Sequence, residues 1–85
     1  MGYYLYILKS DSAGKYYMGS SENPERRLSF HNSLEKGFTS RYRPWRIVFV
    51  QEFESKTLAL AVERKIKRWK SKKMIEKVIN SEVKL

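Results

Sequence analysis

The apolar and polar positions of the chain change rhythm several times, and each change marks an element. "YYLYILK", Tyr3 to Lys9, is an aromatic and aliphatic run without a polar face. It predicts a strand at least partly buried on both sides. "SDSAG" interrupts it with turn formers, and "KYYMGS", Lys15 to Ser20, predicts a second strand near enough to close an antiparallel hairpin. In "SSENPERRLSFHN", Asn23 can cap a helix, Pro24 suits the first helical position, and Glu25 favours the positive end of the helix dipole. A helix is therefore predicted at 24–35. "KGFTSRYRPW", Lys36 to Trp45, reads as a basic and aromatic loop, and "RIVFVQEF", Arg46 to Phe53, as a third strand. Ser55 predicts the cap of a second helix reaching Trp69, and Ser71 that of a third reaching Ile79. The order β-β-α-β-α-α is an α+β arrangement built on a small sheet. Repeats, low-complexity segments and linkers are absent from the sequence.

The first helix carries an anomaly. At about 100° per residue, Phe30, Leu34, His31 and Leu28 fall at about −60°, −20°, +40° and +100° from Arg27. Arg27 thus lies inside the apolar arc, with His31 beside it one turn on. A buried guanidinium without a partner is costly, so this one either pairs with a core-edge carboxylate such as Glu52 or Glu63, or emerges to meet an anion. His31 reads in the same two ways, as a hydrogen-bonded histidine at the core margin or as a working group. On the second helix, Leu58, Val62, Ile66 and Trp69 form the expected apolar stripe, with Glu63 about 100° from its centre. The ordinary reading of Glu63 is a surface carboxylate paired with Lys67 four residues on. It also stands almost alone in a basic field, since residues 64–77 hold eight Lys and Arg against Glu76. Such a carboxylate stays ionised and suits a hard cation.

Composition narrows the class of partner. The chain has 85 residues, 41% of them apolar, with six Tyr, four Phe and two Trp, enough for one small domain spanning 1–85. Without Cys, disulfides and thiolate metal sites are excluded. The sequence contains neither a signal peptide nor an apolar run near 18 residues, so a soluble, cytoplasmic protein with no membrane partner is expected. The net charge of +9, from 18 Lys and Arg against 9 Asp and Glu, points to a polyanion, with nucleic acid the commonest. A basic surface that only aids solubility is the bland alternative.

Taken together, "LYIL" in the first strand, "YYMG" in the second, Arg27 and His31 on the first helix and Glu63 in "AVERKIKRW" resemble the GIY-YIG nuclease family over residues 3–75. The likeness is greatest to small stand-alone bacterial members related to the nuclease domain of the excinuclease subunit. The resemblance implies a three-stranded antiparallel sheet flanked by helices. It also implies a metal-dependent endonuclease acting on DNA, with structure-specific cutting and a repair role as the finer expectation. By it, Tyr6 and Tyr17 are the tyrosines of the two motifs, Arg27 contacts the scissile phosphate, His31 supports it, and Glu63 holds a single divalent ion, Mg²⁺ or Mn²⁺. Tyr17 is the candidate general base, with Tyr6 as orienting partner or rival. Two departures are visible: Tyr4-Leu5 stands where the family has Gly-Ile, and Met18 replaces an Ile. Ser20, Ser21 and Glu22 follow Gly19 where some members carry a lysine. Arg41, Arg43, Lys67, Lys70, Lys72 and Lys73 are candidates for sequence-blind phosphate contacts. Tyr42 and Trp45 are candidates for base stacking, with a core role the alternative for Trp45. RNA as substrate, a protein partner supplying specificity, and the oligomeric state remain open. A basic DNA- or RNA-binding module without chemistry is the main rival, and a protein-interaction domain using the aromatic loop 38–45 is a further one. Neither rival requires the set Tyr6, Tyr17, Arg27, His31 and Glu63.

Overall fold

The computed structural model describes residues 2–33, 41–69 and 71–82. Its centre is β1 (Tyr3–Ser10), which pairs antiparallel with β2 (Tyr16–Ser21) on one side and β3 (Trp45–Phe53) on the other, in the order β2-β1-β3. The unbroken apolar run has its predicted consequence: Leu5, Ile7 and Leu8 are fully buried and Tyr6 is 1% exposed. Alternation along the strand then divides the core. Leu5 and Ile7 pack with Ile66, Ile75 and Val78 on the face covered by α2 (Lys56–Trp69) and α3 (Lys72–Ile79). Tyr6 and Leu8 pack with Trp45 and Leu28 on the face covered by α1 (Pro24–Ser33). These are the α+β class, element order and antiparallel sheet expected from the pattern. The predicted last residues of the first helix, 34–35, and most of the aromatic loop lie outside the described residues.

Local signals account for the element ends. The backbone N–H of Arg26 donates to Asn23 Oδ1 at 3.1 Å, that of Leu58 to Ser55 Oγ at 3.2 Å and that of Met74 to Ser71 Oγ at 3.3 Å. Each polar side chain thus meets one of the orphan donors of a first helical turn. Between β1 and β2, Gly14 takes φ +64°, a left-handed turn conformation that favours glycine. Buried Ser10 organises the same turn, donating from Oγ to the Tyr42 carbonyl at 2.6 Å and accepting from the Ala13 N–H at 3.0 Å.

One expectation is corrected. Leu58 is 49% exposed, and Ala59, fully buried, takes its place in the stripe of α2. A small side chain lets the helix approach the sheet closely, so the buried line runs through Ala59 and Ile66. With Ala59 joining Val62, Ile66 and Trp69, the face centre turns toward Glu63, leaving that residue about 80° away instead of about 100°. No helix among the described residues is long and apolar enough to cross a membrane.

Candidate active site

The site starts from cross-strand register. Tyr6 pairs with Gly19 and Leu8 with Tyr17, so the two motif tyrosines are diagonal neighbours on the α1 face of the sheet. The Tyr6 phenol lies over Gly19, where an added Cβ would come within 2.5 Å of its hydroxyl oxygen. Glycine is needed there to accommodate a phenol, a closer constraint than approach to a substrate. The hydroxyl of Tyr6 is 3.2 Å from His31 Nε2, and the His31 ring meets Tyr17 edge-on at 4.7 Å between centroids. His31 is 1% exposed. With its proton on Nδ1, it accepts the Tyr6 O–H at Nε2.

Arg27 stands one turn before His31 on α1. Its guanidinium stacks over Phe30 at 4.7 Å and hydrogen-bonds the Tyr6 phenol. Burial pushes the Tyr6 pKa above its ordinary value of 10.0; the Arg27 bond opposes the shift, and the neighbouring Tyr17 and Glu63 add to it. Tyr6 is therefore a neutral phenol at physiological pH. Tyr17 is half-buried and nearer solvent.

Glu63 arrives from the other side of the sheet. Its Oε1 accepts the Ser20 hydroxyl at 2.7 Å and its Oε2 the Lys67 ammonium at 2.8 Å. The pair with Lys67 predicted by spacing is present, yet only 15% of the Glu63 side chain is exposed. Ser20 follows Gly19 in β2, an edge strand, so Tyr6 and Glu63 approach consecutive residues of that strand from opposite faces. Among the described residues no three of His, Cys, Asp and Glu form a metal cage. A cation here would have Glu63 as its protein ligand and would keep most of its waters, as Mg²⁺ does.

The expected phosphate contacts are more dispersed. Arg43 is half-buried and donates from Nε to the His31 carbonyl at 2.9 Å, which ties it to the fold. Arg41 and Lys73 are exposed, Lys67 is on Glu63, and Lys72 sits 5.8 Å from the Tyr16 ring; Lys70 lies outside the described residues. Trp45 is 2% exposed and belongs to the core, while Tyr42 is half-buried with Lys15 at 5.1 Å over its ring. Arg27 opens on a groove of about 740 Å³ whose walls include Tyr3, Asn23, Arg26, Phe30 and Lys56. Sequence reasoning did not single out Arg26 and Lys56, because each reads as an ordinary surface cation. It also missed the role of Asn32, whose side-chain amide donates to the Trp45 carbonyl at 2.9 Å and accepts the Trp45 N–H at 2.7 Å, joining α1 to β3.

Residues 2–77 match the family model of the GIY-YIG catalytic domain. The chain is 42% identical over 67 residues to a structure-specific endonuclease subunit, SLX1, of Phaeosphaeria nodorum, and 47% identical over 68 residues to that of Chaetomium globosum. These matches cover 72% of this chain but 18% and 21% of the fungal proteins, so it spans about a fifth of their length. A UPF0213 protein of Streptococcus pneumoniae is 37% identical over 68 residues, covering 79% of this chain and 68% of that one. The solution structure of a UPF0213 protein from Bacillus halodurans superimposes with a TM-score of 0.59 at 30% identity, over 94% of this chain and 84% of that one. Both bacterial proteins are small, as the sequence resemblance implied.

Proposed function

The chain belongs to the GIY-YIG catalytic domain family, and on that premise we propose that it is a divalent-metal-dependent endonuclease. Its substrate is DNA with a branch or other departure from regular duplex, in a repair context. The observation that carries this reading is the packing of Tyr17, Arg27 and His31 around the Tyr6 phenol, with Glu63 reaching Ser20 from the other face. Ser20 is the next residue of β2 after Gly19, so that four separate elements meet at one strand edge. Binding alone requires no such set. The names of the fungal relatives support structure-specific cutting, and the word subunit in them supports a protein partner that selects the substrate.

Hydrolysis of a phosphodiester needs a water to attack phosphorus, a proton acceptor, and stabilisation of the departing 3′ oxygen. Arg27 grips a non-bridging phosphate oxygen through its planar fork, and its place at the groove wall leaves it open to a strand passing Arg26 and Lys56. As general base Tyr17 would have to give up its own proton before taking that of the attacking water, whose oxygen bonds phosphorus as the bond to the 3′ oxygen breaks. Tyr6 stays protonated and holds Arg27 and His31 in place. Glu63 would hold the Mg²⁺ or Mn²⁺, which when bound would supply charge neutralisation at the phosphate. Its mostly buried carboxylate, in reach of a neutral hydroxyl and with lone pairs to spare, fits such an ion.

The test is a nicking assay on linear duplex, flap, branched and single-stranded DNA, with matching RNA, in Mg²⁺ and in chelator. Branched or flap DNA is expected to be cut in Mg²⁺ only. Retention of every substrate on the protein without any cutting would favour the binding-module alternative.

A further inference from the structure

We propose that Ser20 is a positioning residue that sets the Glu63 carboxylate relative to the sheet, and that Lys67 is a cation which an incoming metal displaces. The inference rests on the reading of Glu63 as metal ligand and adds the means by which that carboxylate is aimed and kept available. A glutamate on a helix has three rotatable bonds between its backbone and its oxygens, so α2 alone does not place the carboxylate. Ser20 does, at 2.7 Å from Oε1, and Ser20 is anchored by its pairing with Leu5 in the sheet centre. The next residues back along the same strand are Gly19, beneath the Tyr6 phenol, and Met18 and Tyr17. The hydroxyl thus fixes the carboxylate on one face beside the stretch of β2 that carries Tyr17 and lies beneath Tyr6 on the other.

The two donors on Glu63 differ in kind. Ser20 is neutral and half-buried, and its bond uses one lone pair of Oε1, leaving the other free. This bond persists when a cation binds and fixes the orientation in which it binds. Lys67 is a monovalent cation on an exposed, flexible stem, 50% accessible, at 2.8 Å from Oε2. The ammonium end of this i,i+4 pair is exposed to water, and a divalent ion at the same carboxylate repels it. Lys67 keeps Oε2 hydrogen-bonded until the exchange.

The test measures Mn²⁺ binding to the full chain by electron paramagnetic resonance, without DNA. It compares wild type, Ser20→Ala, Ser20→Thr, Lys67→Met and Glu63→Gln, each checked for folding by circular dichroism. Ser20→Ala is expected to weaken binding about tenfold. Ser20→Thr, which keeps the hydroxyl, stays near wild type, Lys67→Met binds more tightly, and Glu63→Gln loses the site. The Mg²⁺ requirement for nicking should shift in the same directions. Unchanged binding in Ser20→Ala, with loss in Glu63→Gln, overturns the role of Ser20. Weaker binding in Lys67→Met overturns its displacement. Unchanged binding in Glu63→Gln removes Glu63 as ligand, and the reading beneath this inference falls with it.

Discussion

Tyr6 shows how burial gives a single side chain its task. Desolvation holds its phenol neutral against the pull of Arg27, so it serves as a hydrogen-bonding post between Arg27 and His31. A raised phenol pKa stabilises the folded state fully below the unfolded value of about 10, and that contribution is lost as pH rises through the higher folded value. An ultraviolet titration of wild type should show two tyrosines ionising late, Tyr6 and Tyr16, the latter raised by its own burial and by Glu76. Tyr6→Phe should lose one of them, the one that ionises together with loss of structure. At neutral pH Tyr6→Phe leaves the buried His31 nitrogen without its partner and should cost about 1–3 kcal/mol in urea unfolding. Gly19→Ala should cost a similar amount, about 1–3 kcal/mol by the same measurement, because its Cβ overpacks against the phenol. Arg27 and His31 were visible in the sequence as polar groups on an apolar arc, a local property. Ser20 was not, since its partner is 43 residues away and a serine at a strand end carries no local signal of that contact.

The elements were legible where their signals are local. Asn23, Ser55 and Ser71 cap their helices as expected, and β1 reads as a two-faced strand because no polar residue interrupts it. The rotation of α2 was not legible. Periodicity admits both Leu58 and Ala59 to the stripe, and the choice depends on how closely the helix can approach the sheet. Leu58→Ala should accordingly change stability by less than about 1 kcal/mol, whereas Ala59→Leu should cost about 1–3 kcal/mol by overpacking. Reversal of that order in denaturant titrations would place the helix the other way round. The docking of α1 on β3 likewise depends on a long-range pair, the two bonds between Asn32 and Trp45. Asn32→Ala should loosen α1, which carries both Arg27 and His31, and reduce nicking as well as stability.

For the whole molecule, the net charge of +9 acts over a surface far larger than the site. It supplies salt-dependent attraction to DNA without choosing where to cut. Removing Arg26 or Lys56 in the groove should each lower the slope of log affinity against log salt by about 1. Charge alone would suit a binding module equally well; the joining of two faces at the edge of β2 is what favours chemistry. That claim is tested most directly by comparing wild type with Arg27→Ala, Tyr17→Phe and Glu63→Ala in Mg²⁺-dependent nicking, with DNA affinity measured alongside. Each variant should lose at least about a hundredfold in rate, in line with the loss of one transition-state contact, and retain most of its binding. Equal nicking by all four proteins would mean that the cutting comes from elsewhere, and that the five side chains share a neighbourhood without sharing a reaction.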